Sequence, residues 1–229
     1  MIGCLCIHGF TGAPNEVEPL VDYLTEQTDW TFSVPTLPGH GETLSLQGVR
    51  YQEWIIHAEE ELKKLMHSCD VVYVIGFSMG GMIASLLAAQ YPVDKLVLLS
   101  AAAYYLNPRQ MASELKMIVM DSLRGKLSDN ELFQRYLRKI KETPITATIQ
   151  FRRLVSFIKP FLPQIEVPTL IAQGECDGIV PPKSAEYLYR TIGAKQKKLT
   201  YIKESKHHIC HCEEKEALFS LVLDFLKEQ

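Results

Sequence analysis

A serine flanked by glycines is the residue in this chain whose setting most directly predicts chemistry. Residues 76–80 read Gly-Phe-Ser-Met-Gly, with Ser78 at the centre. A β-branched apolar run, 71–75, precedes this motif, and a helix-like run, 81–89, follows it. The motif G-x-S-x-G between a strand and a helix is typical of a nucleophile elbow, a sharp turn that exposes the serine hydroxyl. Glycine is needed on both flanks because a Cβ there would collide with neighbouring backbone. Ser78 is therefore the candidate nucleophile.

A serine hydroxyl is a poor nucleophile, so it needs a histidine base and a carboxylate that orients the base. In elbow proteins these residues follow one another in the order serine, acid, histidine. Asp177 is the candidate acid because it follows an apolar run, 169–173, with the pattern of a buried strand. An aspartate before glycine is also a common turn residue. Glu175 lies closer to the strand end than the acid should, and residues 100–103, after an earlier strand, offer no carboxylate.

The candidate base lies near the C-terminus, in a loop after the last predicted strand. That strand, 199–202, is followed by two adjacent histidines, His207 and His208, and their position in the chain does not decide between them. The segment 207–212 holds five possible metal ligands in six residues. A zinc site would need a second ligand cluster that converges on the first, and none is evident in the sequence. We therefore expect no metal.

An oxyanion hole would complete this chemistry with two backbone N–H groups aimed at the developing negative charge. Met79 follows the nucleophile at a predicted helix N-terminus, where the helix dipole favours negative charge. Phe10 lies in the loop after the first predicted strand and is the candidate second donor. His8 and His40, which stand next to glycines in two loops, are expected to be structural.

Strand-like and helix-like runs alternate along most of the chain, which predicts an α/β fold with a mostly parallel sheet and helices on both faces. The predicted strands are 2–7, 31–34, 71–75, 95–100, 169–173 and 199–202. A first helix is predicted to begin at Pro14, and apolar residues at helical spacing predict further helices at 51–66, 182–192 and 215–227.

The alternation stops between residues 104 and 163, where only helical patterns occur, at 108–123, 129–141 and 144–158. This segment holds eleven Lys or Arg and five Asp or Glu, a charge of +6, so the remaining chain carries −9. We interpret it as a helical cap over the carboxyl ends of the strands, inserted into a core formed by 1–103 and 164–229. The basic residues either form a solvated helical face or attract anionic substrates or surfaces. An apolar stripe suggests an acyl pocket or packing of the cap onto the core; its residues are Met111, Leu115, Ile118 and Val119.

Composition narrows the function classes. The net charge of −3 over 229 residues argues against a nucleic-acid binder or a general membrane-surface binder. No apolar run approaches the ~20 residues of a membrane helix. No Lys or Arg occurs before Arg50, so no signal peptide is expected and the location is predicted to be cytoplasmic. The six cysteines are then expected to be free thiols.

Taken together, the motifs resemble the α/β-hydrolase superfamily, and within it the small bacterial carboxylesterases and monoacylglycerol lipases. The matching elements are residues 8–12, 38–41 and 76–80, the Asp177 loop and the loop 205–209, so the resemblance spans essentially the whole chain. It implies an α/β-hydrolase fold with a helical cap. Proteins of this group often carry additional N-terminal strands, so we expect a sheet shorter by one or two strands at that edge.

The resemblance also decides between the two histidines. In that group the last loop usually reads Ser-Gly-His followed by two apolar residues. Laid on residues 205–209, this pattern gives the base position to His207 and an apolar position to His208. Lys206 then stands where glycine is usual. If that position requires a left-handed backbone, lysine adds strain of about 1–2 kcal/mol.

The function implied by the resemblance is that of a serine carboxylesterase, which hydrolyses carboxylic esters, including monoacylglycerols, through an acyl-enzyme intermediate. No metal or organic cofactor is implied, and the expected partner is a small ester with an apolar acyl group. One alternative is a thioesterase or C–C bond hydrolase on the same fold, and a basic cap would suit a CoA thioester. The other is a non-enzymatic binding or regulatory protein, against which the complete order of serine, acid and histidine argues.

Overall fold

The computed structural model of this protein describes residues 1–104 and 143–228. Two of the predicted cap helices, 108–123 and 129–141, lie outside these described residues. The predicted pocket residues lie outside them too; these are Met111, Leu115, Ile118 and Val119. The division of the chain into a core and a cap at 104 and 163 therefore stays a prediction.

A single parallel sheet of six strands forms the centre of the described structure. The strands are β1 (Ile2–Ile7), β2 (Thr31–Ser33), β3 (Val71–Phe77), β4 (Lys95–Leu99), β5 (Thr169–Gly174) and β6 (Lys197–Ile202). Their order across the sheet is β2-β1-β3-β4-β5-β6, and every neighbouring pair is parallel. The predicted fold class, a mostly parallel sheet with helices, is confirmed. At its N-terminal edge the sheet ends with the three-residue strand β2.

Six α-helices connect or follow the strands in the described part of the chain. They are α1 (Glu18–Gln27), α2 (Tyr51–Ser68), α3 (Met79–Gln90), α4 (Ile145–Ile158), α5 (Lys183–Thr191) and α6 (Lys215–Lys227). Short 3₁₀ helices cover Pro14–Glu16, Lys159–Gln164 and Ile209–His211. Among the described residues, no helix is long and apolar enough to cross a membrane.

Side chains of the central strands divide between two cores, one on each face of the sheet. In β3, Val72 and Val74 belong to one core, while Tyr73 and Ile75 belong to the other. Successive residues of a strand point to opposite faces, so a sheet covered on both faces needs apolar residues at every position. The continuous apolar runs of the sequence follow from this geometry.

Helices from distant parts of the sequence share these cores. The first core contains buried residues of α2, α3 and α4, and the second contains those of α1 and α6. Helix α4, which lies within the predicted third cap helix 144–158, contributes Phe151 and Leu154 to the first core. It therefore packs on the same face of the sheet as α3.

The direction in which the chain adds strands to the sheet changes between β1 and β3. From β1 the chain moves outward to β2, and then returns to β3 on the other side of β1. Ligands of open α/β sheets bind at such a switch point, outside the carboxyl ends of the strands. The loops that follow β1, β3, β5 and β6 all leave this edge because the strands are parallel, and these loops carry the residues predicted to do chemistry.

Candidate active site

Ser78 forms a sharp turn between β3 and α3. Its backbone has φ 53° and ψ −115°, a conformation that is strained for a residue with a Cβ. A Cβ on Gly76 would collide with the Gly80 backbone, and a Cβ on Gly80 would collide with the Ile7 carbonyl. The predicted need for glycine at both flanks is confirmed, because the turn folds back against itself and against β1.

The strained turn is held by the neighbouring strand. The Ser78 amide donates to the carbonyl of Leu99 at the end of β4, with an N···O distance of 2.9 Å. The Ser78 carbonyl accepts from the amides of Gly81 and Ala102, both at 3.1 Å. Three backbone hydrogen bonds therefore fix the direction of the Ser78 side chain, as strain of this kind requires.

The three residues predicted as nucleophile, base and acid form one hydrogen-bonded chain. Ser78 Oγ lies 3.0 Å from His207 Nε2, and His207 Nδ1 lies 2.8 Å from Asp177 Oδ2. All three side chains are buried. Because an ionised carboxylate only accepts, the proton of the imidazole lies on Nδ1, which leaves Nε2 as the acceptor for the serine hydroxyl.

Asp177 is kept ionised by its surroundings. Burial alone would raise the pKa of Asp177, but the charge and hydrogen bond of His207 and the amides of Val180 and Ile179 outweigh it. The pKa of this carboxyl therefore lies below its ordinary value. Both amides donate to Oδ1 at 2.9 Å, so Oδ2 is left to face His207.

The loop that carries His207 is tied to the loop that carries Asp177. The amide of Cys176 donates to the carbonyl of Ser205 at 3.0 Å, and the ring of Phe77 packs against His207 with centroids 4.9 Å apart. Lys206 is exposed, and it is not among the non-glycine residues with positive φ in the described chain. The position therefore needs no left-handed backbone, and lysine adds no strain of that kind.

The loop after β1 presents the Phe10 amide. His8 Nε2 accepts from the Leu37 amide at 3.1 Å, so its proton lies on Nδ1, which donates to the Gly9 carbonyl at 2.8 Å. The Gly9 carbonyl shares a peptide plane with the Phe10 N–H, and it also accepts from the Gly12 amide at 3.2 Å. His8 therefore fixes the orientation of the predicted donor and has the structural role expected of it.

The second predicted donor, Met79, is the first residue of α3. The first amides of an α-helix have no acceptor within the helix, and they carry the positive end of its dipole. The Met79 N–H is therefore available to a negative charge formed beside Ser78.

An aromatic cluster holds the Phe10 side chain. Its ring stacks on Phe151 of α4 with centroids 5.1 Å apart, and it contacts Trp54 of α2 at 5.9 Å. His40 packs against both Phe10 and Trp54, and its Nδ1 lies 3.0 Å from the Pro38 carbonyl. His40 therefore packs beside the loop that carries Phe10.

Two polar residues of the site escaped sequence reasoning. Gln173, the penultimate residue of β5, donates to Asp177 Oδ2 at 3.0 Å. Glu16 accepts from the Gly9 amide at 2.8 Å. An uncharged polar residue at the carboxyl end of a buried strand could have pointed to Gln173, whereas Glu16 reaches the site only through the fold of the loop.

The histidine- and cysteine-rich segment 207–212 does not assemble a metal centre with the rest of the described chain. Within residues 1–104 and 143–228, no three His, Cys, Asp or Glu side chains converge closely enough to hold a metal ion. The six cysteines are free thiols, and Cys4 Sγ and Cys6 Sγ lie 3.8 Å apart. Cys210 is buried, and burial raises the pKa of its thiol well above the ordinary value, which disfavours the reactive thiolate.

The fold and the serine elbow define the class of α/β hydrolases with a serine nucleophile. The family model described as Hydrolase_4, serine aminopeptidase, S33, matches residues 3–215, and the chain belongs to this serine hydrolase family. The predicted resemblance is confirmed.

Several curated relatives carry esterase or lipase names, among them two Bacillus proteins that match most of the chain. The thermostable monoacylglycerol lipase of Bacillus sp. (strain H-257) is 29% identical over 213 residues, which cover 90% of this chain and 82% of the relative. The carboxylesterase of Bacillus subtilis (strain 168) is 24% identical over 230 residues, which cover 98% of this chain and 92% of the relative.

Two solved structures share this fold. One, reported with the metagenome-derived lipolytic enzymes LipS and LipT, has a TM-score of 0.81 and 24% identity, and the match covers 100% of this chain and 94% of that one. The esterase from Exiguobacterium antarcticum has a TM-score of 0.74 and 22% identity, with 100% and 92% covered.

Proposed function

We propose that this protein is a serine carboxylesterase that hydrolyses carboxylic esters through an acyl-enzyme intermediate. The observation that carries the proposal is the buried hydrogen-bonded chain from Ser78 through His207 to Asp177. Membership of the serine hydrolase family and the names of the two bacterial relatives support it. No step requires a metal or an organic cofactor.

In the acylation half, Ser78 Oγ attacks the ester carbonyl carbon while His207 Nε2 takes the hydroxyl proton. The resulting imidazolium is stabilised by Asp177, which also keeps the neutral imidazole in the tautomer that accepts at Nε2. His207 then gives the proton to the departing alkoxide, so the ester C–O bond breaks and the alcohol leaves. The acyl group remains bound to Ser78 Oγ.

In the deacylation half, His207 takes a proton from water, and the hydroxide attacks the acyl carbon. The proton then returns to Ser78 Oγ as the carboxylic acid leaves, so the enzyme is regenerated. In both halves the carbonyl oxygen becomes negative, and the amides of Phe10 and Met79 are the proposed donors to it. Removal of one such donor typically costs about 10²–10³ in kcat.

The proposed substrate has an apolar acyl group, as in a monoacylglycerol. The stacked rings of Phe10 and Phe151 and the neighbouring Trp54 give the oxyanion loop an apolar surround. The name of the Bacillus sp. relative, a monoacylglycerol lipase, supports the same substrate class for this chain. A cytoplasmic location is proposed on the sequence alone.

A thioesterase is the second candidate because residues 104–163 carry a charge of +6, which would favour the phosphates of a CoA thioester. Two of these basic residues, Arg152 and Arg153, are exposed on α4. Ester and thioester hydrolysis would use the same serine, so only a comparison of substrates distinguishes the two.

The decisive experiment compares wild type and Ser78→Ala on p-nitrophenyl esters from acetyl to palmitoyl, on acyl-CoA thioesters, and on aminoacyl p-nitroanilides. We expect ester turnover by wild type that is lost in Ser78→Ala, together with covalent labelling of Ser78 by a fluorophosphonate. Higher kcat/KM on acyl-CoA would select the thioesterase, and higher kcat/KM on the anilides would select a peptidase. A folded wild type that turns over none of these and resists the label would refute the hydrolase proposal.

A further inference from the structure

The carboxylate of Glu16 contacts the oxyanion loop directly. Glu16 ends the 3₁₀ helix Pro14–Glu16, which folds back so that Oε2 accepts from the Gly9 amide at 2.8 Å. The same carboxylate packs on the Cα of Gly12, where a side chain would have no room. Both ends of the turn 9–12 are therefore fitted around this group.

The two peptide planes on either side of Gly9 are each held by a side chain. Glu16 holds the plane that contains the Gly9 amide, and His8 Nδ1 holds the plane that contains the Gly9 carbonyl and the Phe10 amide. Because the two planes meet at the Gly9 Cα, loss of the Glu16 contact removes one restraint on the position of the Phe10 amide, while His8 and the Gly12 amide still hold the Gly9 carbonyl. Glycine has no Cβ to limit rotation between the planes, so the contacts must do so.

A carboxylate at this depth needs compensation for its lost hydration. Only 13% of the Glu16 side chain is exposed. Burial alone would raise the pKa of Glu16, but the hydrogen bond and charge of His208, the charge of His8 and the Gly9 amide outweigh it, so the pKa lies below its ordinary value. Glu16 is therefore a stable anion beside the site.

The second oxygen of Glu16 reaches the loop that carries the proposed base. Oε1 lies 3.5 Å from His208 Nε2, and His208 directly follows His207. Farther along, His211 Nε2 lies 2.9 Å from the carbonyl of Asn15. The histidine-rich segment is thus attached to the 3₁₀ helix at two points.

We propose that Glu16 is a positioning residue for the Phe10 amide, and that His208 links it to the histidine loop, so that the oxyanion hole and the base keep one relative position. This inference rests on the proposed function, because it assigns Glu16 a part in the same reaction. It gives His208 a role that its neighbour His207 does not share.

The test compares Glu16→Ala and Glu16→Gln with Glu18→Ala, a matched variant of an exposed glutamate two residues farther on. Steady-state kinetics on p-nitrophenyl butyrate give kcat and KM, and a trifluoromethyl ketone measures affinity for a tetrahedral adduct with an oxyanion. We expect Glu16→Ala to lower kcat about 10- to 100-fold, less than complete removal of an oxyanion donor, with KM little changed. Affinity for the ketone should fall in parallel, and Glu16→Gln should recover part of both because its amide oxygen still accepts from Gly9.

A second measurement does not depend on turnover. Amide hydrogen exchange followed by NMR should be faster at Gly9 in Glu16→Ala than in wild type or Glu18→Ala. A Glu16→Ala variant that loses thermal stability but keeps wild-type kcat, or one that leaves Gly9 exchange unchanged, overturns the positioning role.

If Glu16→Ala does not fold, Glu16→Gln and His208→Ala provide the same comparison, and wild-type kcat in both overturns the proposal. If wild type hydrolyses no substrate, the proposed function fails, and Gly9 exchange alone decides whether Glu16 holds the loop.

Discussion

The side-chain amide of Gln173 donates to Oδ2 of Asp177 at 3.0 Å, the same oxygen that faces His207. The Gln173 nitrogen also lies 3.1 Å from the Val180 carbonyl. The reverse orientation of the amide would point its oxygen at a carboxylate and a carbonyl, so the contacts fix which atom faces Asp177. Gln173 therefore locks the carboxylate against rotation while leaving it ionised.

Replacement of Gln173 by leucine should lower kcat for ester hydrolysis about tenfold, which corresponds to ~1.4 kcal/mol, because Asp177 loses a donor that orients it. Gln173→Glu should lower kcat further, because a second carboxylate beside Asp177 would repel its charge and would not donate the hydrogen bond that orients it. Gln196→Leu is the matched control, because Gln196 is exposed and lies just before β6, at the amino end of that strand. Unchanged kcat in both Gln173 variants would show that Gln173 only fills space.

The sheet was predictable because its central strands are buried on both faces, which forces continuous apolar runs such as 71–75. Prediction was weakest at the edge of the sheet. Strand β6 begins at Lys197, two residues before the predicted start at Leu199, because one face of an edge strand tolerates lysine. Apolar periodicity gives no signal at such positions.

Ser78, Asp177 and the histidine pair 207–208 could be chosen from sequence because each follows a strand, and parallel strands bring their carboxyl ends to one edge. The choice of His207 within the pair came from the family resemblance of the loop 205–209. Glu16 and Gln173 could not be chosen in this way. Glu16 reaches Gly9 because the turn after β1 folds back, and Gln173 reaches Asp177 through the orientation of its side chain. Neither contact produces a periodic pattern in the sequence. Contacts of this kind depend on packing rather than on the order of elements.

The adjacent histidines should differ sharply on substitution. His207→Ala should lower kcat by at least ~10⁴, as expected for loss of a base from a serine–histidine–aspartate triad. His208→Ala should lose about tenfold or less, because it reaches the oxyanion loop through Glu16 and takes no proton from Ser78. Steady-state kinetics with both variants, and thermal melts to establish folding, measure the difference. The opposite ranking would mean that the base is His208.

Backbone strain at Ser78 predicts an unusual order of stability. Ser78→Gly should be more stable than Ser78→Ala by about 1 kcal/mol, because glycine adopts positive φ without the cost that a Cβ adds. Both variants should be inactive. At Ser85, in the interior of α3, the order should reverse, since glycine is about 1 kcal/mol less favourable than alanine in a helix. Urea unfolding of the four variants measures both differences. If alanine were the more stable substitution at both sites, strain at the elbow would be ruled out.

The buried anion Glu16 predicts how stability depends on pH. Its pKa in the folded protein lies below the ordinary value of 4.5, so between those two values the unfolded chain binds more protons than the folded one. Stability from Glu16 is therefore fully present above pH 4.5 and is lost as pH falls through the folded-state pKa. The groups that face the carboxylate are His208, His8 and the Cys210 thiol.

Urea unfolding of wild type and Glu16→Gln at a series of pH values measures this contribution. The series runs from about pH 7 to about pH 3 and so brackets the ordinary carboxyl pKa. Wild type should be the more stable protein at neutral pH, because Glu16→Gln loses the negative charge that accepts from the Gly9 amide and faces His208. The difference in the free energy of unfolding should shrink as the pH falls below 4.5, since protonation makes Glu16 resemble glutamine. Glu18→Gln should show no such trend because its side chain is exposed. A difference that stays constant across the series would mean that Glu16 acts through its shape alone and not through its charge.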